Sequence, residues 1–309
     1  MVKKIKNRML QLGAFLLCSS FWSIHANAQG ARSKQPMYNI EIKQDEAAKR
    51  VTVTANGEPF TSLVYTDTLE KPFLYPIYAP DGHIITRGFP YATRPDEPTD
   101  HPHHTGLWLN YESVNGLDFW NNSYAIPADK KDKYGWIKAK KIAKIKTGKR
   151  GMIRIESDWV NQRNQVLMSE ATTYYFKADA KMRIIDRVTT LTAVQNINLP
   201  DVKDGMLGLR VAHELEMPST NKKEFKDDKG NVTVVESNRD GAPSGNYITS
   251  EGKEGDAVWG TRAQWCMLYG KQGEDINSVV IIDYPGNIGY PTYWHARGYG
   301  LFAANPLGQ

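Results

Sequence analysis

The sequence predicts an all-β protein built as a large two-sheet antiparallel β-sandwich. Three observations carry this. Apolar and polar residues alternate with period two through most of the chain beyond residue 28. Helical periodicity over ten or more residues is hard to find there. Turn-forming triplets recur between the alternating runs. A closed barrel would leave two long aperiodic stretches, 79–100 and 217–254, unexplained.

The chain opens on a segment that reads as an export signal. Lys3, Lys4, Lys6 and Arg8 form a basic start, an apolar run spans Met9 to Trp22, and Ala26-Asn27-Ala28 offers a small-x-small cleavage site. We therefore expect a signal peptide over 1–28, a single sandwich domain over 29–309, and a periplasmic or extracellular protein. No later stretch approaches the ~18 apolar residues needed to span a bilayer. The formal net charge of +5 owes much to those four basic residues, which no acid accompanies. A nucleic-acid partner has no electrostatic support. Of the two cysteines, Cys18 lies in the signal. Cys266, between Trp265, Met267 and Leu268, is expected to be buried and unpaired.

Ile40 and Ile42, then Val51 and Val53, alternate with polar residues, and Ala55-Asn56-Gly57 reads as a hairpin turn before Phe60. A four-strand meander follows. Its strands run from about 136 to 145, then through Ile153, Ile155, Ser157 and Trp159, then 166–176, then 182–193. The first of these is rich in lysine, which suits an exposed sheet edge. A further strand is expected over 206–216, with Leu209, Val211 and His213 on its inner face. The 79–100 stretch, rich in Tyr, Phe, Pro and Arg, reads as an ordered wall. The 217–254 stretch is either a lid or a solvated excursion.

Asp100-His101-Pro102-His103-His104-Thr105-Gly106-Leu107-Trp108 concentrates three of the seven histidines in nine residues. Neutral imidazole suits both proton transfer near neutral pH and metal binding. Three imidazoles this close disfavour one another's protonation. Pro102 pushes His101 towards an extended conformation. If the run is extended, His101 and His103 share one side and His104 faces the other. If it is a tight loop, all three converge.

Three further places offer partners. His213-Glu214 lies in the predicted strand, although an inward histidine is more often a satisfied core residue. Tyr293-Trp294-His295-Ala296-Arg297-Gly298-Tyr299 groups an imidazole, a guanidinium and aromatics. An arginine fork beside a histidine suits an anion, a carboxylate or an enolate. Asn110, Asp118, Trp120, Asn121 and Asn122 supply amides and an aromatic suited to sugars.

The 100–108 run, the following Val114-Asn115-Gly116-Leu117-Asp118-Phe119-Trp120 and the C-terminal stretch from Tyr290 to Gly308 resemble exported bacterial proteins of the "PmoA family". That name points to a methane oxygenase and misleads, because such an oxygenase subunit is built of membrane helices. The resemblance implies a β-sandwich from bacteria that degrade plant or host glycans. It brings no settled catalytic residues. Asp283-Tyr284-Pro285 stands where relatives carry His-Pro. Fold-level analogy with the supersandwiches of mutarotases and polysaccharide lyases implies sugar binding on a sheet face.

The leading expectation is a carbohydrate-active enzyme, a lyase, hydrolase or epimerase. Its catalytic groups would be His101, His103, His104, His213, His295 and Arg297. Its substrate-binding groups would be Trp108, Asn110, Trp120, Glu214, Trp294 and Tyr299. Removing a proton next to a carbonyl needs a base, an acid and a cation for the oxyanion, and this set supplies them. A metal-dependent variant places Zn²⁺ or Fe²⁺ on His101, His103 and His213, with Glu214 or Asp100. No standard ligand spacing is present. The alternative is a non-catalytic glycan-binding protein using Trp108, Trp120, Trp294 and Tyr299 as stacking platforms. No phosphate loop, dinucleotide motif or serine nucleophile elbow occurs, so no nucleotide cofactor is expected.

Overall fold

Among the described residues, seventeen strands and three short 3-10 turns make up the fold. The computed structural model describes residues 36–94, 97–219, 223–226, 231–235 and 243–308. The expected signal peptide and parts of the 217–254 stretch lie outside these. The strands are β1 (Ile40–Asp45), β2 (Arg50–Ala55), β3 (Glu58–Val64), β4 (Phe73–Ile77), β5 (Leu107–Tyr111), β6 (Trp136–Lys146), β7 (Gly151–Val160), β8 (Val166–Ala178) and β9 (Arg183–Ala193). They continue as β10 (Gly205–Arg210), β11 (Lys223–Lys226), β12 (Val232–Val235), β13 (Asn246–Thr249), β14 (Trp265–Gln272), β15 (Asp275–Ile282), β16 (Tyr293–Ala296) and β17 (Leu301–Asn305).

An eight-stranded antiparallel sheet, in the order β1-β2-β3-β4-β5-β10-β17-β16, is the centre of the fold. One cross-strand row reads Val51, Leu63, Leu74, Leu107, Leu209, Phe302, Ala296, all apolar. That face packs against two smaller sheets side by side. The β1–β4 half meets Ile153, Ile155, Tyr174 and Phe176 of the β6-β7-β8-β9 sheet. The other half meets Tyr247, Cys266 and Leu268 of the β13-β14-β15 sheet. Leu107 touches both clusters and sits where they join. The all-β sandwich is thus one large sheet against two small ones.

Side chains alternate across a strand, so the neighbouring row points the other way. It reads Arg50, Val64, Phe73, Trp108, Gly208, Ala303, His295. This second face is roofed by loops, and Trp108, His295 and the histidine run gather on it. Gly208 is required here: a Cβ would lie 2.4 Å from Cζ2 of Trp108, whose indole occupies that space.

The meander matches its prediction closely. The Asn56-Gly57 turn takes φ of 50° and 87°, as a tight hairpin requires. Lysine-rich β6 is an edge strand of its sheet. The strand expected over 206–216 instead ends at Arg210, and His213–Leu215 forms a 3-10 turn. Cys266 is buried and free. Among the described residues, no helix is long and apolar enough to cross a membrane.

Candidate functional site

The histidine run is a tight turn, not an extended segment. His104 N–H donates to the His101 carbonyl at 2.9 Å. His101 takes a φ of 47°, the left-handed region that non-glycine residues rarely occupy. Pro102 therefore does not hold it extended. The cause is Arg87, a fully buried residue of the 79–100 loop. Its guanidinium donates to the carbonyls of Pro98, Asp100, His101 and His104 at 2.8–3.2 Å and to the Asp100 carboxylate at 2.7 Å. One side chain thus gathers the turn's backbone acceptors.

The turn brings all three imidazoles together. His103 and His104 have ring centroids 4.3 Å apart, and His101 stacks on His104 at 4.9 Å. His101 also stacks on Tyr299 at 4.9 Å. His104 is buried and lies on Trp108 at 5.3 Å. Lys71, buried beneath, donates to the His103 carbonyl at 2.7 Å. Burial pulls the Lys71 ammonium down to about 8. Burial also pushes His103 and His104 well below the ordinary imidazole value. Lys71 adds to this for His103, and His103 and Arg210 add to it for His104. Both rings are neutral at pH 7.

His101 differs. Its Nδ1 is hydrogen-bonded to Oδ2 of Asp100. Asp100 is a carboxylate that Arg87 and Arg210 clamp at 2.7 and 2.8 Å. Burial alone would raise the Asp100 carboxyl, but Arg210, the His101 hydrogen bond and Arg87 hold it well below the usual carboxylate range. A carboxylate can only accept, so in the neutral tautomer that donates to it the imidazole carries its proton on Nδ1 and presents Nε2 as an acceptor. The His101 side chain is 40% exposed, so that nitrogen's ring remains accessible.

Arg210 links the turn to His213. It donates to Glu216 at 3.4 Å, and Glu216 accepts from Nδ1 of His213 at 2.9 Å. Arg210 also lies over Tyr299, 5.0 Å from the ring centre. His213 thus joins through Glu216 and Arg210 rather than imidazole to imidazole. Glu214, the predicted partner, is not in this chain; its charge acts on Arg94. His295 faces Asp204 at 3.3 Å and Trp259 at 6.2 Å. Burial, then Arg297, pulls His295 down to about 4.

The predicted stacking platforms need correction. Trp108, Trp120 and Trp294 are all buried. Trp108 lies under His104, and Trp120 packs against both at 5.2 and 5.9 Å. Trp294 neighbours His295 in sequence, so the alternation of β16 turns it into the opposite core, where its indole donates to the Ala263 carbonyl. Asn110 is also buried, accepting from Trp108 and donating to the Phe119 carbonyl. Tyr299 remains partly accessible. Trp259, beside His295, is 49% exposed, with the Arg297 guanidinium over it at 4.6 Å.

His101, His103 and His213 do not converge as a metal set. Among the described residues, the one group whose ligand atoms lie within 4.8 Å of one another is Asp81, His83 and Asp275. At the histidine turn Arg87, Arg210 and Lys71 already supply the positive charge that a cation would bring.

Sequence reasoning missed Arg87, Arg210, Glu216, Lys71 and Trp259. The period-two pattern held a signal for one of them. Arg210 stands two residues after Gly208 and so shares the face of Trp108 and His295. Nothing local marks Arg87 as buried.

No curated protein and no solved structure matches the chain. A family model covers residues 50–309, nearly all of the fold just described, and the chain belongs to that family, DUF6807, a family of unknown function.

Proposed function

We propose that the protein is an exported carbohydrate-active enzyme in which His101 transfers the proton. The observation that carries this is the Asp100–His101 pair: a buried, arginine-clamped carboxylate orienting an exposed imidazole held at an unfavourable φ. A histidine whose Nδ1 is fixed by a carboxylate presents Nε2 as a general base, the arrangement that hydrolases use. The resemblance of the 100–120 and 290–308 stretches to exported PmoA-family proteins supports a glycan as substrate.

The parts divide as follows. His101 accepts or returns a proton. Arg297, stacked between Trp259 and Tyr299 at 4.6 and 5.8 Å, supplies the cation for a developing oxyanion or a sugar carboxylate. Trp259 offers an aromatic face to a sugar ring. His103 and His104, held neutral, shape the floor. Abstraction of a proton next to a carbonyl or carboxylate, as in a lyase or epimerase, fits this set best.

The test is incubation of the purified protein with neutral and uronate-bearing polysaccharides in D₂O, following deuterium uptake and chain cleavage. Exchange or cleavage that falls roughly 100-fold or more in His101→Ala supports the proposal. Saturable glycan binding without chemistry, unaltered in His101→Ala but lost in Trp259→Ala, would favour the glycan-binding reading instead.

A further inference from the structure

Away from the histidine turn, two distant segments meet at one point. Tyr78 and Ile84 pair across a short hairpin whose tip is Asp81-Gly82-His83, with Gly82 at a φ of 94°. The β14–β15 hairpin turns at Gly273, φ 62°, and sets Asp275 beside it. Nδ1 of His83 lies 3.2 Å from the Asp81 carboxylate and 4.0 Å from that of Asp275. The three ligand atoms all lie within 4.8 Å of one another.

Two exposed aspartates alone would be an ordinary solvated turn. Two features make this more. Nδ1 of His83 is sealed from solvent and makes no hydrogen bond, although two carboxylates face it. The Asp81 carboxylate is aimed from behind: buried Asn277 donates to its Oδ2 at 2.9 Å and is itself braced on Gln272 at 3.2 Å. This is how metal sites orient their ligands, through an outer partner that fixes the carboxylate.

We propose that Asp81, His83 and Asp275 form a divalent-cation site that fastens the root of the 79–100 loop to the β14–β15 hairpin. Two carboxylates and one imidazole suit Zn²⁺ or Mn²⁺ better than Ca²⁺, which prefers an all-oxygen shell. The 3.2 Å between His83 and Asp81 matches neighbouring corners of a polyhedron with metal–ligand bonds of about 2.0–2.2 Å, and the Asp275 carboxylate, at 4.0 Å, need close in by only about 0.5 Å. The loop so fastened runs on to Arg87, so the cation stiffens the support of the histidine turn without entering it.

The experiment is calorimetric titration of the purified, chelator-treated protein with Zn²⁺ and with Mn²⁺, alongside thermal melting. One equivalent should bind, and saturating metal should raise the melting temperature by about 5 °C. Asp275→Asn, at an exposed position that tolerates change, and His83→Gln should each abolish that shift. Asn277→Leu, which removes only the orienting donor, should weaken binding roughly 10- to 100-fold. Neither metal binding with one-to-one saturation would overturn the proposal. So would a site that survives both Asp275→Asn and His83→Gln.

Discussion

The rings of His101 and Tyr299 lie parallel, 4.9 Å apart and 1° from coplanar orientation. One belongs to the tight turn before β5, the other to the turn between β16 and β17. Their contact joins two turns that lie on either side of β10 in the large sheet. It also fixes the imidazole whose Nδ1 meets the Asp100 carboxylate.

His101→Gly should separate chemistry from folding. Glycine accepts a φ of 47° without penalty, so thermal stability should change by less than about 1 kcal/mol. Activity should nevertheless fall roughly 100-fold or more. Full activity in this variant would remove His101 from the mechanism.

Asp100→Asn should be costly to the fold. It leaves Arg87 and Arg210, both fully buried, without their shared carboxylate. Breaking one partner of a buried ion pair costs about 3–5 kcal/mol. Urea unfolding measures it, and a loss below about 1 kcal/mol would mean that the arginines find other acceptors.

Stability should depend on pH through the neutral histidines. His103, His104 and His295 are pushed down by burial, so in the fold they resist protons that the unfolded chain binds near pH 6.5. Their contribution is therefore complete above about pH 6.5 and is lost as pH falls below it. For His295, held at about 4, the loss between pH 7 and pH 5 is about 2 kcal/mol. Asp100 acts in the same sense but only below about pH 4. His295→Gln should flatten the slope between pH 7 and 5. Denaturant midpoints that hold constant or rise on acidification would contradict this.

Gly208→Ala should destabilise by about 1–3 kcal/mol, because the new methyl meets the Trp108 indole at 2.4 Å. The same change should disturb the near-ultraviolet circular dichroism of the tryptophans. A neutral outcome would mean that the indole can slide off the glycine.

Trp259→Ala should leave melting within about 1 kcal/mol of the parent, since the ring is half exposed. Glycan affinity should fall roughly tenfold, the loss of one stacking contact. Unchanged affinity for every glycan that binds would place the substrate elsewhere.

The strands were legible where the physics is local. β6 to β9 follow their alternation to within a few residues, and Asn56-Gly57 turns where expected. The histidine turn was also legible as a place, because its composition is unusual. What could not be read is which alternating face is roofed. Trp108 and Trp294 looked alike in sequence, yet one lies beneath the histidines and the other in the opposite core. The strand after Gly205 looked longer than it is because Val211 and Ala212 continue the apolar pattern after the pairing to β17 has ended. Arg87 and Arg210 were invisible as core residues. Their burial depends on an aspartate that only the folded sheet brings near.

That aspartate meets Arg210 across 110 positions of chain, which bears on when the site comes into being. A growing chain exposes Asp100 and its three histidines long before Arg210 is made, and Tyr299 comes last of all. Until β10 docks beside β5, Asp100 is a solvated carboxylate that Arg210 does not yet hold, and His101 has no fixed partner to orient it. Such long-range pairings form slowly, because loop closure must precede their reward. The geometry of the histidine turn should therefore be completed in a single late step, with the closure of the large sheet.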